Sequence, residues 1–152
     1  MEIRWLHVIF SILLGMTLFS IDSLAQGSLC HVSSSAKLAI DQRDDLRMRC
    51  LKQKKLDLNI SQCLQIANSM EYSINAEEAR GVCMETRNLT AKGCLQVSQA
   101  MEYADSGDES RWECLRQFNH SITHKQCRIF AKNMSYPANE QRAKTFCDQE
   151  LH

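Results

Sequence analysis

The chain has 152 residues, with eighteen basic and eighteen acidic side chains, so its formal charge is zero. That balance argues against binding nucleic acid or anionic membranes non-specifically, since both need a basic excess. Eight cysteines and the length of about one domain set the remaining frame.

At the start, Arg4 is followed by an almost wholly apolar run from Trp5 to Ile21, and Ser23-Leu24-Ala25 places small residues at the −3 and −1 positions of a cleavage site. Residues 1–25 therefore read as a signal peptide cut after Ala25. An uncleaved anchor is the competing reading, because seventeen apolar residues stand near the short limit for crossing a bilayer. A lipid-attachment box is disfavoured by the bulky Leu29 before Cys30. Removing Glu2, Arg4 and Asp22 leaves seventeen basic and sixteen acidic residues in the expected mature domain, 26–152, which carries no stable membrane span. An even number of cysteines behind an export signal predicts a secreted or periplasmic protein with a disulfide framework.

Cys30/Cys50, Cys63/Cys83, Cys94/Cys114 and Cys127/Cys147 are each twenty positions apart, and the unit recurs every 31 to 33 residues. Four copies follow, over about 26–55, 56–87, 88–119 and 120–152. The first keeps its cysteines and Arg47 but has Lys37 and Ala39 where the others have Met and Tyr, and it reads as a cap.

In the second copy, Cys63, Ala67 and Met70 form one helical stripe, repeated by Cys94/Ser98/Met101 and Cys127/Ala131/Met134. Asn59, Thr90 and Thr123, four residues before those cysteines, are the expected N-caps. A second helix in each copy is expected to begin at a capping box, Asn75 to Glu78 and Ser106 to Glu109, with Asn139 and Arg142 forming an incomplete one. Pro137 is expected to end the first helix of the fourth copy.

The fold class is thus all-α, four tandem helix-turn-helix repeats, either solenoid-like or closed into a bundle. Folding each hairpin about its midpoint brings its own two cysteines side by side, within the roughly 7 Å that a disulfide requires. Pairing neighbouring copies would instead strand Cys30 and Cys147, so the favoured bridges are Cys30–Cys50, Cys63–Cys83, Cys94–Cys114 and Cys127–Cys147.

This plan resembles the α-hairpin repeat class, such as tetratricopeptide and Sel1-like arrays, and above all secreted cysteine-rich versions with one bridge per unit. The resemblance covers Cys63 to Cys147 well and Cys30 to Cys50 weakly. It is architectural, and it implies a protein-binding concave face.

Several patterns invite chemistry. The Cys–Met stripe and His120, His124 and Cys127 suggest soft-metal (copper) binding, the alternative function, but oxidised cysteines are poor ligands and the stripe also has to pack. Core packing is the preferred reading, and no cofactor is expected. Arg47, Arg80, Arg111 and Lys144 recur as a basic ladder that could meet an anionic polymer. Asp44, Glu77 and Asp108 stand three residues before the arginines, however, and favour local ion pairs. Tyr72, Tyr103 and Tyr136 recur at the end of each first helix, where they either pack over the next unit, the preferred reading, or form a recognition ladder. An enzyme would draw on residues that break the repeat, such as Trp112, Arg142 or His124. Asn-x-Ser/Thr sequons stand at Asn59, Asn88, Asn119 and Asn133; the first three lie in or beside the connections between copies, and Asn133 is expected within a helix. Taken together, the sequence predicts an exported helical scaffold whose partner is another protein, without catalysis.

Overall fold

A computed structural model describes residues 30–31 and 37–151. The expected signal peptide lies outside the described residues, as do 32–36 in the first half of copy one. The chain divides into two units, 1–31 and 32–152. Of the first, only Cys30 and His31 are described, and Cys30 sits in a turn with a φ of 63°. Copy one therefore meets its first cysteine outside a helix, unlike the copies that follow.

The described residues form seven helices and no strand: α1 (Ile40–Lys54), α2 (Ile60–Ala67), α3 (Ser73–Cys83), α4 (Ala91–Ala100), α5 (Ala104–Phe118), α6 (His124–Lys132) and α7 (Pro137–Glu150). Helix α1 is the second helix of copy one; α2/α3, α4/α5 and α6/α7 are the hairpins of copies two, three and four. The first helices α2, α4 and α6 have only eight, ten and nine residues. Helices this short do not persist alone in water, so packing and covalent staples must hold them.

Their starts follow the sequence. Asn59, Thr90 and Thr123 are the N-caps, and their side chains accept hydrogen bonds from the N–H groups of Gln62, Gly93 and Gln126. Gln62 and Gln126 reach back to the N-cap N–H and complete capping boxes. The second helices depart from expectation. They begin at Ser73, Ala104 and Pro137, before the capping-box positions, and their N-caps are Tyr72, Tyr103 and Tyr136 with no side-chain cap. The fourth copy's first helix ends at Lys132 with Asn133 as its C-cap, so Asn133 is not mid-helix. Pro137 does not end that helix but opens α7, at a position where its missing N–H is no loss.

Disulfides join Cys63–Cys83, Cys94–Cys114 and Cys127–Cys147 across the open ends of the hairpins, with Cα–Cα distances of 5.7, 5.8 and 5.7 Å. Cys30 and Cys50 are disulfide-bonded as well. The six half-cystines of copies two to four are fully buried. Around those of copies three and four gather Trp112, Leu115, Ile122, Phe130, Ala131 and Met134.

Every substantial helix–helix contact lies within a hairpin or between hairpins adjacent in sequence. Within residues 32–152 this is the nearest-neighbour packing of a stacked array. Close stacking is helped by Gly93, where a Cβ would stand 3.0 Å from Cγ1 of Ile60.

Candidate interaction edge

The helix-turn-helix connections at 68–72, 101–103 and 133–136 lie at the end of the array away from the disulfides, and a repeated polar assembly builds that edge. Asp44 of α1, one per cent exposed, accepts the backbone N–H groups of Glu71 (2.9 Å) and Tyr72 (3.0 Å) from the next hairpin, and the Asn75 side-chain amide (3.0 Å). Asp108 of α5 does the same for Ser135 (2.6 Å), Tyr136 (3.3 Å) and Asn139 (2.7 Å). Glu77 of α3, one methylene longer, takes the Glu102 and Tyr103 N–H groups at 2.9 and 3.3 Å.

Each carboxylate thus lies at the N-terminus of the next hairpin's second helix, where unsatisfied N–H groups and the helix dipole favour a negative charge. This explains why those helices need no local cap. Asn75 and Asn139, expected as N-caps, instead donate to the carboxylate from within the first turn.

The arginines complete each clasp. Arg47, Arg80 and Arg111 ion-pair with Asp44, Glu77 and Asp108 at 3.0, 3.2 and 2.8 Å, in the expected i,i+3 register. They also reach the next hairpin: Arg47 meets Glu71, Arg80 meets Glu102, and Arg111 meets the Ser135 hydroxyl. A Cβ at Gly107 would lie 3.1 Å from the Arg111 guanidinium, so glycine leaves that side chain its room. The three arginines are 6, 6 and 7 per cent exposed, so the basic ladder is largely internal. Lys144 is half-buried and pairs with Glu140.

Burial alone would raise the pKa of Asp44, but hydrogen bonds from Tyr72, Asn75, Glu71 and Arg47 outweigh it and hold the pKa below its ordinary value. For Asp108 burial is likewise outweighed, by bonds from Asn139, Ser135 and Tyr136. Glu71, gripped by a hydrogen bond from Arg43 and then by Arg47, is lowered to about 2. Asp44, Asp108 and Glu71 are therefore ionised at neutral pH.

While their backbones are pinned inward, the tyrosine side chains face out. Tyr72, Tyr103 and Tyr136 are 47, 44 and 43 per cent exposed. Each of the latter two reaches back to the preceding second helix. The Tyr103 hydroxyl lies 3.3 Å from Ser73 Oγ, and Tyr136 hydrogen-bonds Asp105, whose negative charge raises the phenol's pKa. Ile74, 66 per cent exposed, stands beside Tyr72 and shares an open groove with Met101, Glu78 and Glu109.

The other sequence candidates separate. Met70 and Met134 are buried and Met101 half-buried, and none of the described cysteines is a free thiol. Among the described residues, no group of three or more His, Cys, Asp or Glu side chains is placed to hold a metal ion. His124 pairs with Asp148 at 2.8 Å on the surface, and His120 is exposed in the turn before α6. Trp112 packs edge-on against Phe146, with the Arg142 guanidinium 4.7 Å from its ring centre. Both line an open groove with Asp105, Glu109 and Asn139. No described helix is long and apolar enough to cross a membrane.

No protein family, characterised protein or solved structure matches this chain. The cysteine-rich, disulfide-stapled all-helical fold is that of a structural or extracellular module.

Sequence reasoning missed the three carboxylates as bonds between hairpins. The signal was present, since the acid stands six residues before the second cysteine in copies one, two and three. Its targets were hidden because they are backbone N–H groups.

Proposed function

We propose that this chain is an exported, non-catalytic scaffold that binds another protein along its tyrosine edge. One observation carries the reading: three tyrosines at the same repeat position keep more than two-fifths of their surface exposed while buried clasps fix their backbones. Tyrosine offers a large contact area with few rotatable bonds, and a pre-fixed backbone lowers the ordering cost of binding. The disulfides support export, because bridges at this density form in oxidising compartments. Their oxidation also speaks against the cysteine part of the copper alternative, since a disulfide sulfur is a poor ligand. The burial of Arg47, Arg80 and Arg111 speaks against a surface for anionic polymers.

The test replaces Tyr72, Tyr103 and Tyr136 together by serine, which leaves the clasped N–H groups in place. Proteins cross-linked to the wild-type chain in the fluid that receives it are identified, and their affinity is measured against both forms. The expected result is an unchanged helical spectrum and an affinity lowered by at least about tenfold, 1.4 kcal/mol. Equal affinity for both forms would remove the tyrosine edge from the proposal. Turnover of a substrate by the purified chain would overturn the non-catalytic reading.

A further inference from the structure

We infer that Asn88 is an N-glycan acceptor and that the glycan edge of this array lies opposite its tyrosine edge. The inference rests on the exported reading above, because glycan transfer requires entry into a eukaryotic secretory lumen. Four of the seven asparagines in the chain stand in Asn-x-Ser/Thr sequons. A glycan added to the emerging chain must remain outside the folded array, so the structure sorts the four by what each side chain does once folded.

Asn88 is exposed in the turn between α3 and α4, and among the described residues its side chain has no hydrogen-bond partner. Its Nδ2 points to no structural duty that a sugar would disturb. Asn59 is also exposed and uses its Oδ1 to cap α2, which leaves Nδ2 free. Asn119 is half-buried at the end of α5. Asn133 is the opposite case. Its Nδ2 donates to the Ile129 carbonyl at 2.8 Å and its Oδ1 accepts from Gln99 at 2.8 Å, tying α6 to α4.

The places follow the same division. Asn59, Asn88 and Asn119 lie in or beside connections between copies, at the disulfide end of the hairpins. Asn133 lies at the hairpin turn, three residues before Tyr136. The first helices between the two ends are eight to ten residues long, which at 1.5 Å per residue is about 12–15 Å. A bulky, solubilising group on Asn88 therefore covers the stapled end and leaves the tyrosines bare.

In the transfer, Asn88 Nδ2 forms a bond to the anomeric carbon of an oligosaccharide carried on a lipid pyrophosphate. The bond from that carbon to the pyrophosphate oxygen breaks, and the lipid pyrophosphate leaves. The proton lost from Nδ2 balances the charge on the leaving group.

The experiment expresses the full chain in cultured eukaryotic secretory cells and maps peptides from the medium before and after a glycan-releasing amidase, which converts a glycosylated Asn to Asp. The expected result is conversion at Asn88 and none at Asn133, with Asn88→Gln still secreted but one glycan smaller. Secreted protein carrying unmodified Asn88 would overturn this inference and leave the exported reading standing. Conversion at Asn133 in folded, secreted protein would overturn the sorting by side-chain role. Chain retained in the cytosol with residues 1–25 intact would overturn the exported reading and this inference with it.

Discussion

Replacing Asp108 by alanine isolates one clasp. The carboxylate is 2 per cent exposed and holds two backbone N–H groups, the Asn139 amide and the Arg111 guanidinium. Its loss leaves Arg111, 7 per cent exposed, with only the Ser98 carbonyl and Ser135 hydroxyl as partners, and takes the acceptor from both amides. Breaking a buried pair from one side typically costs about 3–5 kcal/mol, chiefly through the charge left behind. For a domain of this size that lowers Tm by about 10–20 °C. Glu113→Ala, at an exposed site on the same helix, should stay within about 0.5 kcal/mol of wild type. Calorimetry gives the global loss, and hydrogen exchange should localise it to the turn at 133–136 and the start of α7, sparing α2 and α3. The double change Asp108→Ala with Arg111→Met should cost less than Asp108→Ala alone, since it removes the orphaned cation. The wild-type contribution is complete above the unfolded carboxylate pKa of about 3.9 and fades as pH falls through the lower folded value. Asp108→Ala should therefore lose less stability than wild type on acidification. A loss below about 1 kcal/mol, or a double variant worse than the single, would refute the clasp as a link between hairpins.

Removing the Cys127–Cys147 bridge by a double change to alanine should cost about 2–4 kcal/mol, from the unfolded-chain entropy of a loop of this length, read from urea midpoints. Thr123→Ala should cost about 1 kcal/mol by removing the cap on α6, also read by urea. Carbon-detected NMR titration should find the Glu71 carboxyl titrating near 2, and Arg43→Ala should move it up towards the ordinary carboxylate range, because the Arg43 hydrogen bond is the largest cause of the depression. The stabilising share of that contact is present at neutral pH and is lost only as pH falls towards 2.

Much of the fold was legible in local signals. The twenty-residue cysteine spacing carried the hairpins because a staple and a turn are both short-range in sequence. Asn59, Thr90 and Thr123 were readable as caps because each satisfies an amide three residues on. The second helix starts were misplaced for the converse reason: their caps come from 25 to 31 residues away, and no window around Tyr72, Tyr103 or Tyr136 contains Asp44, Glu77 or Asp108. Pro137 suited either the end of one helix or the first turn of another, and the early stop at Lys132 decided it. The ion pairs of Arg47, Arg80 and Arg111 were legible in their i,i+3 register, but their burial was not. Their burial depends on the next hairpin's turn closing over them, which no single copy encodes. For the tyrosines, spacing gave the row but not the direction of the rings.

The clasps also give the array a polarity. Each carboxylate grips the hairpin that follows it, so one face of a unit is a hook and the other is an eye. In the fourth copy the hook position holds exposed Gln141, with Lys144 in place of arginine, so this unit has an eye and no hook. Lengthening the array by grafting another copy behind α7 would thus call for Gln141→Asp and Lys144→Arg before any change to the new unit itself.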